Sequence, residues 1–103
     1  MRKAFSPMKL KPFREMASEA ALVLLSIDIK ADTSYVPMKD PNSRRWHART
    51  SYGEFEILTT GPKWYDTRSR KGGGGAIDLA MHVLGLSFVD AVKLLTGTAP
   101  PRD

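Results

Sequence analysis

The stretch that decides the fold runs from Trp46 to Thr67 and reads WHARTSYGEFEILTTGPKWYDT. Its residues alternate in character with the period of an extended chain. Trp46, Ala48 and Thr50 oppose His47, Arg49 and Ser51. Phe55, Ile57 and Thr59 oppose Glu54, Glu56 and Leu58. Trp64 and Asp66 oppose Lys63, Tyr65 and Thr67. Tyr52-Gly53 and Gly61-Pro62 supply tight turns between the runs. Short strands joined this closely read as an antiparallel meander.

Working outward, Phe13 to Ser26 is helical in pattern: Ala17, Ala20, Ala21, Leu24 and Leu25 recur at spacings of three and four. Ile27-Asp28-Ile29 then alternates, as a short strand or an extended exit. Residues 30–45 are rich in turn formers, including Pro37, Asp40-Pro41 and Asn42-Ser43. After the meander come Arg68-Ser69-Arg70-Lys71 and the glycines Gly72 to Gly75, which are expected to lie outside any regular element. Two helices follow. Ile77, Ala80, Met81 and Leu84 stripe the first, and Gly85 stops it. Ser87 caps the second, with Asp90 three residues on; Phe88, Ala91, Val92 and Leu95 form its stripe, and Gly97 ends it. Strands followed by helices predict an α+β fold: a small antiparallel meander of three or more strands, packed with one N-terminal helix and two C-terminal helices. The expected division is a loose basic arm over residues 1–12, one domain over 13–96 and a tail over 97–103.

The 103-residue chain has room for one domain, and its 42% hydrophobic share supports a core. It has no cysteine, which excludes disulfides, thiol nucleophiles and Cys-based zinc sites. The longest apolar run, Ala20 to Leu25, is far shorter than the roughly 20 residues of a membrane span. No membrane partner, cofactor or metal is implied, and a cytoplasmic protein is expected.

Sixteen Lys and Arg against 11 Asp and Glu give a net charge of +5, which favours a polyanionic partner. The cations concentrate in one region: Arg44, Arg45, Arg49, Lys63, Arg68, Arg70 and Lys71, interleaved with Trp46, Tyr52, Trp64 and Tyr65. Cations that track phosphates and rings that stack on bases are the combination that binds single strands. By strand phase, His47 and Arg49 lie opposite Trp46, and Lys63 and Tyr65 lie opposite Trp64. A core face with tryptophans and a basic outer face is therefore expected. Tyr65 and His47 are the first candidates for stacking or base-edge contacts, and Trp64 the second.

Catalytic signals are weak. The glycine run lacks the Lys-Ser/Thr that completes a nucleotide P-loop. It reads as a strand-to-helix connection with close backbone packing, the other reading being a phosphate nest. Asp28 and Asp32 are four residues apart without a helix to align them, and His47 and His82 lack a nucleophile pattern. No enzyme activity is expected.

Trp64-Tyr65-Asp66, the segment Gly72 to His82 (GGGGAIDLAMH) and the segment Gly85 to Leu95 (GLSFVDAVKLL) resemble the N-terminal zinc-ribbon domain of bacterial and phage DNA primases. The resemblance covers about residues 46–96. It implies a ribbon-like sheet that binds single-stranded template, with synthesis left to a separate catalytic domain. The family's ribbon holds zinc with three Cys and one His. Here the first ligand pair falls near Trp46 to Arg49, where only His47 qualifies, and the second near Trp64 to Ser69, which supplies none. A zinc-free descendant is implied, as in primase- or relaxase-associated proteins of plasmids and other mobile elements. The chain would then be a fragment or a small partner supplied in trans. The expected partner is single-stranded DNA, alongside a replicative polymerase, primase or helicase. The alternative is a protein-interaction adaptor that docks a polymerase, helicase or relaxase through residues 76–95.

Overall fold

The alternating runs do pair into a sheet, and two further strands join it. In the computed structural model, which describes residues 7–97, the elements are α1 (Pro7–Glu15), α2 (Ser18–Leu25), β1 (Asp28–Ala31), β2 (Arg44–Arg49), β3 (Glu54–Thr60), β4 (Lys63–Asp66), β5 (Lys71–Gly74), α3 (Gly75–Leu84) and α4 (Phe88–Thr96). The fold is α+β. The sheet order is β1-β2-β3-β4-β5, antiparallel throughout.

The register sets two faces. On one, Ile29 pairs with Ala48 and Ala48 with Phe55, Trp46 pairs with Ile57, and Thr59 pairs with Trp64. Ala48, Ile57 and Trp64 are buried there, in one core with Leu10 of α1, Leu22 and Leu25 of α2, Leu79 and Val83 of α3, and Val92 of α4. Helix α3 is the hub, packing on α1, α2, α4 and the strands β4 and β5. The other face carries Lys30, Arg45, His47, Arg49, Glu54, Glu56, Leu58, Lys63 and Tyr65, and none of these residues is buried.

Three expectations are corrected. Gly72 to Gly74 do lie in a strand, β5, paired with β4, and at Gly73 a side chain would not fit. A Cβ on Gly73 would lie 2.8 Å from both the Trp64 ring and Asp78 Oδ2. The loose arm gives way to α1 from Pro7 onward, with Leu10 only 2% exposed in the core. Pro7 suits a first helical position; Pro12 costs the helix a hydrogen bond, and docking on α3 offsets that loss. Arg2 and Lys3 lie outside the described residues, as do residues 98–103 of the expected tail. Finally, the helix expected over 13–26 breaks near Ala17. Ser18 is the reason: its N–H donates to the Gly61 carbonyl at 2.7 Å, and its hydroxyl reaches the carbonyls of Gly61 and Lys63 at 2.8 Å each. These bonds fix the start of α2 on the β3–β4 turn.

The C-terminal punctuation is as read. The Asp90 N–H donates to Ser87 Oγ at 3.1 Å. Gly85 and Gly97 take left-handed conformations, with φ of 65° and 73°. Among the described residues no single helix is long and apolar enough to cross a membrane.

Candidate nucleic-acid interface

The face of the sheet turned away from the helices is the candidate site. Alternation along β2 sends Arg45, His47 and Arg49 to it, and alternation along β4 sends Lys63 and Tyr65. Across the strands, Arg45 stands beside Leu58, Leu58 beside Tyr65, and Tyr65 beside Gly72. From Arg49 to Lys63 the face extends about 20 Å along the strands at roughly 3.3 Å per residue.

Tyr65 is 42% exposed. A Cβ on Gly72 would come within 3.1 Å of its ring, so the ring lies across a bare glycine. Leu58, Thr60, Lys63 and Tyr65 contribute to a shallow hollow beside it. A second depression, toward the other end of the strands, is lined by Lys30, His47, Arg49 and Arg68 together with Asp28 and Glu54.

The acids on this face matter as much as the cations. Arg45 donates to Asp32 Oδ2 through Nε at 2.8 Å, and its Nη2 is also 2.8 Å from that oxygen. It lies 3.5 Å from Glu56, and its guanidinium sits 5.1 Å from the centre of the Tyr35 ring. His47 Nε2 meets the same Asp32 oxygen at 3.1 Å. Arg49 reaches Asp28 at 3.7 Å in solvent, and Arg68 reaches the half-buried Glu56 at 3.9 Å, both loosely. Lys63, Arg70 and Lys71 make no ion pair with the described residues. Hydrogen bonds from the Ser34 hydroxyl and from His47, with further help from Arg45, hold the Asp32 carboxyl well below its usual range.

The candidates therefore divide. Arg45, His47, Arg49, Lys63 and Tyr65 share the open face, with Arg68, Arg70 and Lys71 in or beside the β4–β5 turn. Arg44 does not join them. It has the phase of Trp46, lies 6.0 Å from that ring and pairs with Glu19 of α2 at 3.6 Å. Trp64 is ruled out as a stacking surface: it is 6% exposed and already stacked on His82, centroid to centroid at 4.9 Å. Its phase places it on the core side, where its Nε1 is buried without a hydrogen-bond partner.

Sequence reasoning passed over Asp66, which organises the cationic turn. Asp66 Oδ1 accepts the N–H groups of Arg68 and Ser69 at 2.9 and 3.1 Å, and Oδ2 meets His82 Nε2 at 2.6 Å. Burial alone would raise its pKa, but the bonds from His82, Ser69 and Arg68 hold it below 3.8. The turn is thus pinned to α3, and Arg70 takes a left-handed φ of 60° within it. An Asp directly before Thr-Arg-Ser-Arg was the available signal. Among the described residues no three His, Asp or Glu side chains converge as a metal site.

Fold and face define a small α+β domain with a helix-backed sheet and a mixed, cation-bearing open side. No protein-family model matches the chain, and no solved structure matches it. Over 57 residues it is 40% identical to a "65 kDa protein" of Zymomonas mobilis subsp. mobilis, covering 54% of this chain and 9% of that protein. The chain thus spans less than a tenth of that relative's length.

Proposed function

We infer that this domain binds single-stranded DNA, as a cytoplasmic module related to the template-recognition domain of primases and serving replication of a mobile element. The observation that carries the reading is the open face: Arg45, His47 and Arg49 of β2 lie on the same side of the sheet as Lys63 and the exposed ring of Tyr65 on β4, away from the described helices. Unpaired bases have π-faces that such a ring can stack on, and the flanking cations can follow the backbone. The short match to a far longer protein supports a module built into larger chains. The buried Asp66–His82–Trp64 contact lies near one expected ligand pair, which supports packing as a substitute for metal.

Fluorescence anisotropy with a labelled oligothymidine at several salt concentrations tests the reading. Log affinity should fall with log salt by about 0.7 per neutralised phosphate. Absent or salt-independent binding contradicts it.

One observation favours the adaptor reading: α4 leaves Val89 and Leu94 42% and 52% exposed. Reversing the charges of Arg68, Arg70 and Lys71 separates the two. Strand binding should drop under the first reading, whereas under the second the change leaves capture of a purified replication partner intact and Val89→Asp with Leu94→Asp on α4 abolishes it.

A further inference from the structure

Two donors of the open face already hold an anion, and that anion belongs to the chain itself. Asp32 Oδ2 receives the Arg45 guanidinium at 2.8 Å and the His47 imidazole at 3.1 Å. An oxygen held by a guanidinium fork and a ring nitrogen is in the environment that a phosphate oxygen takes. The other oxygen, Oδ1, accepts the Ser34 N–H at 3.0 Å and its hydroxyl at 2.6 Å, which aims the carboxylate at the pair. The Asp32 N–H in turn donates to the Arg45 carbonyl at 2.9 Å, so the acid starts from a fixed backbone position. The Asp32 side chain is 12% exposed and that of His47 is 44% exposed, so solvent reaches the imidazole more readily than the acid. Glu56, 3.5 Å from Arg45, adds negative charge at the same spot.

We propose that Arg45 and His47 form a phosphate subsite which Asp32 fills with its own carboxylate, acting as an internal competitor of the incoming strand. This rests on the single-strand reading of the face. A backbone phosphate gains these two donors only by displacing Asp32 or by bearing its repulsion. The strand is therefore held mainly by Lys63, Arg49 and the β4–β5 turn, and the face works below its full affinity. Neutralising the acid without changing its shape opens the subsite.

The test uses the Asp32→Asn variant and a labelled oligothymidine of about 12 residues, within the site sizes of small single-strand binders. Affinity should rise about fivefold, and the salt slope should steepen by about 0.7, one more phosphate neutralised. His47→Gln should cost less than about twofold in the wild-type background but about fivefold beside Asp32→Asn, because only there does the imidazole face the strand. Unchanged or weaker binding by Asp32→Asn, or an equal cost of His47→Gln in both backgrounds, overturns the proposal. If melting shows that Asp32→Asn is unfolded, Ser34→Ala replaces it. That variant loosens the aim of the carboxylate and should tighten binding about twofold, and no change overturns the proposal. A wild-type protein that binds no strand at all removes the single-strand reading itself, and this inference with it.

Discussion

Trp64 and Tyr65 are neighbours with opposite duties, and the pleat separates them. The Trp64 ring fills the core beneath Gly73 and stacks on His82, while the Tyr65 ring lies over Gly72 in solvent. Trp64→Ala should therefore destabilise the domain by about 3–5 kcal/mol, the usual cost of removing a large buried ring, read as a fall in denaturation midpoint. Tyr65→Ala should leave the midpoint nearly unchanged and weaken strand binding by about 1–3 kcal/mol, the worth of one stacked base. Equal effects of both changes on stability would contradict the division of faces. Asp66 supports both sides, through His82 in the core and the Arg68 and Ser69 amides in the turn. Its carboxyl is held below the ordinary 3.8, so its contribution is present above that pH and lost as pH falls through the folded value. Wild-type melting temperature should decline below about pH 4, and Asp66→Asn, less stable at pH 7, should decline less over the same interval.

At the scale of elements, the glycine run divides into positions with separate tasks. Gly75 has φ of 87°, and a Cβ there would lie 2.9 Å from Arg14 Cα, where the end of α1 packs on the start of α3. Gly75→Ala should cost about 1–3 kcal/mol through left-handed strain alone, more with the clash. Gly74 has an extended φ of −145° with open space at its Cβ and stands at the N-cap of α3. Gly74→Ser should be neutral or slightly stabilising. Thermal melts of the two variants check the contrast. The same elements show what a sequence can convey. The three middle strands, the Ser87 cap and the stops at Gly85 and Gly97 are local, set by residues within a few positions of one another. By contrast, β5, α1 and the break before Ser18 depend on partners distant in the chain: Trp64 against Gly73, Leu10 in the common core, and Ser18 on Gly61. Periodicity carries no trace of those contacts. Strand phase likewise placed Arg45, His47, Arg49, Lys63 and Tyr65 on the outer side, but the face is mixed in charge rather than basic. The acids that occupy it, Asp32 from the loop and Glu56 from β3, become visible only when the register brings them beside Arg45.

At the scale of the whole molecule, the net charge of +5 is not spread evenly over the candidate residues. Arg44 has gone to the helix side and Arg45 is held by Asp32, whereas Lys63, Arg70 and Lys71 remain free of ion pairs among the described residues. The account therefore predicts a single-strand binder of moderate strength whose affinity depends on a few exposed cations and one ring. Backbone amide shifts in a ¹⁵N-labelled sample, titrated with a short oligothymidine at low salt, test this most directly. Shifts should concentrate on β2, β4 and the β4–β5 turn, around His47, Arg49, Lys63, Tyr65 and Lys71, with α2 and α4 nearly silent. Shifts centred on the exposed outer side of α4, or none at all, would contradict the account.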